Sequence, residues 1–267
     1  MQSRDPRMQE PTTGPRPSIR VSVPARRYFI GDLIFACATR HGAVLLDLKH
    51  NRYLGVGCAD ALVLSECVNG FPGNEQWGES VLQTSAGISS EACLLESLVD
   101  NGILTTRTPT ARDITSMDIV LHGDLVSIGD EIVGSQTVRV GDVASFLCHF
   151  LWSVASLRCR PLRSVVRRVY RRRSSAIRSG YTFNLSRASE LVDKFRSIRP
   201  YFFLAKDNCL LHALALVNYL AAHGEFPVWV FGVTTDPWTA HSWVQQEHFL
   251  LDSNPEAVCS LEPILAV

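Results

Sequence analysis

Apolar and polar residues alternate along three short stretches between residues 33 and 56, and a period of two is typical of β-strands. Turn-forming residues separate these stretches at His41-Gly42 and at Lys49-His50-Asn51. The pattern therefore predicts a three-stranded meander with strands at 33–39, 43–48 and 52–56.

Two stretches with apolar residues at helical spacing follow the meander. The first, CADALVLSECVNG, stops at a glycine. The second, SSEACLLESLVDNGILT, begins with Ser before Glu and has Asn101-Gly102 as its end signal. Strands followed by short helices predict a small winged-helix-like module at residues 25–108.

The pattern of the C-terminal half is helical first and then alternating. Four helices are expected: 143–158, 162–173, the segment LSRASELVDKFRSIRP that Pro200 ends, and DNCLLHALALVNYLAAHG that Gly224 ends. Three strands are expected after them, at 227–233, 241–245 and 248–252. Helices packed on an antiparallel sheet define an α+β fold class.

The remaining segments set the domain organisation. The first 24 residues are rich in Pro, Arg and Thr, which predicts a mobile tail. A stretch dotted with Gly and Asp, with few aromatic residues, predicts a connector. We therefore expect a tail at 1–24, the small module at 25–108, a linker at 109–141 and a second domain at 142–267.

Charge gives no general preference for a partner, because 26 Lys and Arg balance 26 Asp and Glu over 267 residues. One basic stretch, PLRSVVRRVYRRR, places its arginines mostly off the apolar stripe of a predicted helix. A solvated helix face is the first interpretation, and a patch for an acidic peptide, nucleic acid or a partner protein is the other. Aromatic platforms for bases are absent apart from Tyr170, so nucleic acid is not expected as a partner.

Eight cysteines occur in a chain that begins with a polar stretch and lacks an apolar signal-peptide region. We therefore expect reduced thiols and a cytoplasmic location. The sequence contains no Cys-x-x-Cys and no Cys/His spacing of the zinc-finger kind, so neither a metal nor another cofactor is expected. The most apolar window, at 143–157, is too short to span a bilayer.

Cys209 stands at the start of a predicted helix, with Asp207 or Asn208 as the candidate cap. Unpaired N–H groups and the helix dipole favour a thiolate there, and the thiolate is the nucleophilic form. Buried structural cysteine is nevertheless the ordinary interpretation of a single Cys, so partners must decide between the two. The other seven cysteines lie in apolar runs or on ordinary helices and are expected to be packing residues.

A cysteine nucleophile needs a base, and the base needs an acceptor that orients its other ring nitrogen. If the last two predicted strands turn between Gln246 and Glu247, His241 faces Asp252 across the hairpin, on the same side of the sheet. Cys209, His241 and Asp252 then form a Cys-His-Asp triad.

Three other histidines compete for the role of base. His212 follows Cys209 by one helical turn, but nothing in the sequence orients it. His223 lies near the helix C-terminus, and His248 has no acid opposite.

The stretches DNCLLHALALVNYLAAHG, VWVFGVTTDPWTAHSWVQ and LLDSNPEAVCSLEPILAV resemble the B protein of lasso peptide biosynthesis, a maturation protease of transglutaminase-like, papain-related fold. This likeness covers roughly 195–267. The stretch RRYFIGDLIFACATRHGAVLLDLKHNRYLGV is similar to the precursor-recognition domain fused to many such proteases. The family usually has Asn-Asp one residue later than Asp252, after a turn containing glycine, and a turn shorter by one residue restores the match.

The resemblance implies that the leader of a ribosomally made precursor peptide adds as a strand near Arg52, Tyr53 and Leu54, against the helix carrying Leu94 and Leu98. It also implies that Cys209 cleaves the leader from the core, and that the core passes to an ATP-dependent macrolactam synthetase. Two alternatives stay open: a non-catalytic adaptor that only holds a peptide, and a transglutaminase-like enzyme that transfers the acyl group to an amine.

Overall fold

The computed structural model describes residues 28–78, 91–108, 113–119, 121, 125–128, 137–202 and 208–267. A small module of strands and short helices comes first, and a helical layer packed on an antiparallel sheet follows it. This arrangement confirms the predicted α+β class and the order of its two parts. The expected tail at 1–24 lies outside the described residues.

The N-terminal module contains two small sheets and two helices, with bounds β1 Tyr28–Ile30, β2 Ile34–Thr39, β3 Gly42–Asp47, β4 Arg52–Val56, α1 Cys58–Cys67, β5 Val68–Asn69, α2 Glu91–Asp100 and β6 Leu104–Thr105. Strands β2, β3 and β4 form the predicted antiparallel meander. The second sheet, in the order β5-β1-β6, was not predicted, because strands of two or three residues are too short to show alternation.

The C-terminal part contains the remaining elements, with bounds β7 Val126–Ser127, α3 Val140–Cys159, α4 Leu162–Arg178, α5 Leu185–Ile198, a 3₁₀ turn Arg199–Tyr201, α6 Cys209–Ala222, β8 Val228–Thr235, β9 Trp238–Gln246, β10 Phe249–Leu250, α7 Pro255–Val258 and β11 Glu262–Ala266. The four predicted helices are confirmed, and the sheet has the order β11-β8-β9-β10-β7. Strand β11 and helix α7 were missed. Strand β7 lies inside the segment predicted as a linker, and it pairs with β10. The predicted domain boundaries stay predictions.

Strand β3 is buried on both faces, which joins the two parts of the chain. Val44 and Leu46 lie in one hydrophobic core with Trp229 and Phe231 of β8. Ala43 and Leu45 alternate with them and lie in a second core with the helices of the module. Because successive side chains of a strand point to opposite faces, a single strand serves both cores. The meander is thereby packed directly against the C-terminal sheet and helices.

Helix α6 is apolar on nearly all sides and is the central helix of the C-terminal core. It packs against α3 and against β9 of the sheet. Tyr219 and Leu220, near its C-terminal end, are fully buried, whereas Cys209 at its first position is partly exposed. The helix therefore presents its N-terminal end at the surface of an otherwise closed core.

Among the described residues, α3 is the one helix long and apolar enough to cross a membrane by length and composition. It begins earlier than the sequence predicted, so its 20 residues reach a length that the sequence argument had excluded. Phe146 is buried against Phe195 of α5, and Ser153 accepts a hydrogen bond from Asn218 of α6. One face of α3 thus packs on the core, whereas Leu151 and Trp152 of the same helix are exposed.

Helix α4 has the two faces that its pattern predicted. Val165, Val166 and Val169 are buried, while the guanidinium of Arg168 lies over the ring of Trp152, 4.8 Å from its centroid. Arg167 pairs with Asp113. The helix is thus held to the core by its valines, and most of its arginines face solvent.

Gly232 of β8 offers a test of the sheet that carries His241, with which it is paired. A Cβ at Gly232 would lie 2.6 Å from Cη2 and Cζ3 of buried Trp243, whose Nε1 is held by Gln245. We expect Gly232→Ala to lower the free energy of unfolding by about 1–3 kcal/mol because the ring has no room to move. Gly55→Ala is the control, since no atom lies within 4 Å of its added Cβ. Urea unfolding measures both, and equal stability of the two variants would contradict this packing.

Candidate active site

Cys209 is the first residue of α6, and Asn208 is the residue that caps this helix. The Asn208 carbonyl accepts the His212 N–H at 2.9 Å, but its side chain makes no capping hydrogen bond. Asp207, the other predicted cap, lies outside the described residues. The thiol therefore lies at a helix N-terminus whose first N–H groups have no partner within the helix, a position that favours negative charge.

His241 lies on β9, whose inner face packs against α6. Its imidazole is half-buried and stacks near the ring of Trp243, with 6.1 Å between the centroids. Burial lowers the pKa of His241, which favours the neutral ring that a general base requires. His241 also lies close enough to His212, one turn after Cys209, for its charge to contribute to lowering the pKa of His212.

The hairpin that follows His241 has a different register from the predicted one. Phe249 pairs with Gln246, and the two-residue turn consists of Glu247 and His248, with a positive φ of 53° at Glu247. The predicted turn lay one residue earlier, so the actual pairing is displaced by two residues and Asp252 comes level with Trp243. The predicted direct opposition of His241 and Asp252 is therefore wrong, although a shift of two keeps both on one face.

Asp252 is held beneath the hairpin rather than beside His241. Its Oδ1 accepts the Val244 N–H at 2.8 Å and the Ser253 hydroxyl at 3.3 Å. Only 3% of its side chain is exposed, and this burial raises its pKa to about 7, against the lowering effects of those hydrogen bonds and of Arg196 and Arg199. Within the described residues, His241 and Asp252 share no hydrogen bond.

Ser253 lies between the imidazole and the carboxylate. Its Oγ lies 3.5 Å from His241 Nε2 and donates to Asp252 Oδ1. Ser253 is not among the predicted site residues. In a regular hairpin with the observed pairing, Asn254 would come level with His241, so the approach of Ser253 depends on the bends that follow β10, which residue spacing does not reveal.

His212 does have groups that orient it, so the reason for setting it aside in the sequence is wrong. Arg199 Nη1 lies 3.2 Å from its Nε2, and Asp252 Oδ2 lies 3.7 Å from its Nδ1. Arginine can only donate, so Nε2 accepts and the ring proton is on Nδ1, facing the carboxylate. Burial and the positive charge of Arg199 lower the pKa of His212 to about 3, which keeps it neutral.

The predicted recognition strand borders this site. Tyr53 of β4 meets Trp238 of β9 edge to face, with 5.7 Å between the ring centroids. Burial raises the pKa of Tyr53 to about 12, with a smaller contribution from Cys209, and its ring packs against the core that contains α6. Leu54, the next residue, packs in the core of the module on the opposite face of β4.

The other residues predicted to bind a leader lie around β4. Leu94 and Leu98 on α2 are partly buried against the same core as Leu54. Arg52 donates from Nε to the buried carboxylate of Asp47 at 3.2 Å. The three leucines therefore lie around one core, whereas the Arg52 side chain is hydrogen-bonded to Asp47 across the turn between β3 and β4.

The remaining cysteines are not all packing residues. Cys37 and Cys67 are buried, but four others are exposed, so the prediction is wrong for Cys93, Cys148, Cys159 and Cys259. None of the eight cysteines, all of which the structure describes, forms a disulfide. Within the part of the chain that the structure describes, no group of three or more His, Cys, Asp or Glu could hold a metal ion.

Residues 145–266 match the family model described as the transglutaminase-like superfamily. The matched segment includes Cys209, His241 and Asp252, and the N-terminal module lies outside it. The C-terminal part is thus a transglutaminase-like domain, a class that is typically cysteine-protease-like or acyl-transferring. No curated protein and no solved structure is significantly similar to the chain.

The raised pKa of Asp252 predicts a pH dependence of stability. An acid with a higher pKa in the folded chain than its ordinary 3.8 favours folding most at low pH, and that contribution is lost as the pH rises through about 7. Asp252→Asn removes the charge and keeps the shape. We expect the difference in unfolding free energy, variant minus wild type, to rise between pH 4 and 7 by at most roughly 1.4 kcal/mol per pH unit and then to level off.

Urea unfolding of both proteins at several pH values measures this difference. The lowered pKa of His212 destabilises the fold as the pH falls below 6.5, but it acts in both proteins. Asp32→Asn, the same substitution at an exposed aspartate, is the control for a change that involves no buried carboxyl group. A flat difference for Asp252→Asn would show that the carboxyl is not buried in this way.

Proposed function

We propose that this protein is a cysteine peptidase that removes the leader from a ribosomally made precursor peptide during lasso peptide maturation. The observation that carries the proposal is the position of β4, whose Tyr53 contacts Trp238 of β9 and the core that contains α6, while its Leu54 packs with the helices of the module. A peptide held along β4 would therefore lie beside the elements that carry Cys209 and His241.

The end position of β4 in its sheet favours binding of a peptide as an added strand. The meander has the order β2-β3-β4, so β4 pairs with β3 on one side and, within the described residues, with no strand on the other. An unpaired edge offers backbone N–H and C=O groups to an extended chain, and alternate side chains of that chain then enter pockets on either face. This mode supplies affinity from the backbone and register from the side chains.

The partly exposed apolar surface formed by Leu54, Leu94 and Leu98 would select the leader. Leu54, Leu94 and Leu98 are partly buried, so each still presents apolar surface outside the core of the module. An apolar side chain of the bound strand would cover this surface, and the next residue along would face Tyr53 and the catalytic domain. Recognition and cleavage would thus use the two faces of one added strand.

The chemistry follows from the groups at the start of α6 and on β9. His241 takes the thiol proton, and the sulfur of Cys209 attacks the carbonyl carbon at the leader–core junction. The backbone N–H groups at the start of α6 would stabilise the oxyanion. The core amine leaves with the proton from His241, and a water that His241 then deprotonates releases the leader as a carboxylate.

The freed core would next be taken by an ATP-dependent macrolactam synthetase, the expected partner, since ring closure needs the new amine. The eight cysteines form no disulfide, which is consistent with a reducing, cytoplasmic location. Amide transfer, the alternative for this domain class, would give a leader joined to an amine instead of a free carboxylate. The masses of the two leader products differ, so one cleavage experiment separates them.

Cleavage should depend on the thiol of Cys209. We expect Cys209→Ala to lower the rate of leader removal by more than about 1000-fold, because the covalent intermediate cannot form. The measurement is mass spectrometry of the precursor peptide encoded beside the gene, incubated with the purified full-length protein. Cys259→Ala, at an exposed thiol outside the site, is the control and should cleave at the wild-type rate. Equal cleavage by Cys209→Ala would leave only a peptide-binding role.

Leader binding should depend on the apolar surface of Leu54, Leu94 and Leu98 beside β4. In the Cys209→Ala background, we expect Leu98→Glu to weaken binding of a fluorescent leader peptide at least tenfold, because a carboxylate would be desolvated against Leu54 and Leu94. Ser97→Glu places the same charge on the exposed side of α2 and should bind as the parent does. Fluorescence anisotropy gives both dissociation constants. If Leu98→Glu binds as tightly as Ser97→Glu, the leader lies elsewhere.

A further inference from the structure

We propose that the Ser253 hydroxyl is a positioning residue that connects His241 to Asp252, so that the carboxylate orients the base through a serine and not directly. This inference deepens the proposed function and rests on His241 being the base of that reaction. It assigns a role to Ser253, which lies immediately after the expected acid and was not expected to contribute.

The distances define a chain of two polar contacts. Ser253 Oγ lies 3.5 Å from His241 Nε2 and 3.3 Å from Asp252 Oδ1. A carboxylate can only accept, so the hydroxyl donates to Asp252 and offers its lone pairs to the imidazole. His241 Nε2 must then carry the proton that points at the serine. This tautomer leaves Nδ1 unprotonated, and Nδ1 is the nitrogen that can take the thiol proton.

The carboxylate is prevented from replacing the serine. Its Oδ1 is held by the Val244 N–H at 2.8 Å, and its Oδ2 faces the Nδ1–H of His212 at 3.7 Å. His212 is itself fixed by Arg199 Nη1, 3.2 Å from its Nε2. The two oxygens of Asp252 thus face partners on β9 and α6. A group bound on two sides is a fixed acceptor for the serine and is not free to turn toward His241.

The direction of every contact in this chain follows from donor chemistry. Arg199 donates to His212, whose remaining proton faces Asp252, and Ser253 donates to the same carboxylate. In its ionised form Asp252 accepts from these donors and holds the hydroxyl in one orientation. His241, on β9, is the last member of the chain.

The test uses alkylation of Cys209 by iodoacetamide, followed against pH by peptide mapping so that the other seven thiols do not interfere. The rate reports the thiolate and therefore the state of its base, whichever peptide is the substrate. We expect Ser253→Ala to lower the rate at pH 7 about tenfold and to move the profile to higher pH, because His241 loses its acceptor. Ser253→Thr keeps the hydroxyl and should stay within about twofold of wild type. Asn254→Ala, at the exposed next residue, is the control.

A double-mutant cycle separates a relay from two independent effects. If Asp252 acts through Ser253, Asp252→Asn shifts the alkylation profile when Ser253 is intact and has no further effect, within about twofold, when combined with Ser253→Ala. Equal shifts by Asp252→Asn with and without Ser253→Ala would overturn the proposal, as would a wild-type profile for Ser253→Ala. Urea midpoints of each variant confirm that the profiles compare folded proteins.

The same variants keep this proposal distinct from the peptidase. If Ser253→Ala shifts the pH profile of Cys209 alkylation but the protein cleaves no precursor, the relay is supported and the proposed peptidase function is wrong. If cleavage depends on Cys209 but Ser253→Ala leaves the alkylation profile unchanged, the peptidase is supported and the relay is wrong.

Discussion

The burial of β3 on both faces is the constraint on which the arrangement of this protein depends. One face of the strand belongs to the core of the N-terminal module and the other to the core that contains α6 and β8. Neither face can be exposed without losing several large apolar contacts, so the meander is fixed against the C-terminal domain. The next strand, β4, is therefore held with Tyr53 against the core that contains α6. Packing thus fixes β4 relative to the helix that carries Cys209.

The site is a group of polar side chains at the edge of an apolar core. Helix α6 is buried along its length and exposes its thiol-bearing N-terminus, where orphan N–H groups favour negative charge. Behind it, Asp252 is almost fully buried, a costly state that is offset by backbone and side-chain donors and by nearby arginines. His212, neutral and bonded to Arg199, belongs to this support. This network holds the carboxylate of Asp252, to which Ser253 donates.

Periodicity was sufficient for the elements with long regular patterns. The meander, the four C-terminal helices and the placement of Cys209 at a helix start follow from spacing and stop signals alone. Short strands such as β1 and β5 gave no signal, because two or three residues pair only through tertiary context. The predicted hairpin register is wrong because the turn lies one residue later, where Glu247 adopts a positive φ that its residue type rarely favours. The contact of Ser253 with His241 depends further on the bends that follow β10. His212 is oriented by Arg199, which lies outside α6, so the sequence around His212 could not predict this contact.

The central claim is that Cys209 forms a covalent bond with a peptide presented by β4. Rapid quenching of the reaction, followed by mass spectrometry of the digested protein, tests this most directly. The account predicts a leader fragment attached as a thioester to the peptide that contains Cys209, formed before free leader appears. Cleavage that proceeds with no adduct on Cys209, or with an adduct on one of the exposed cysteines instead, would contradict it.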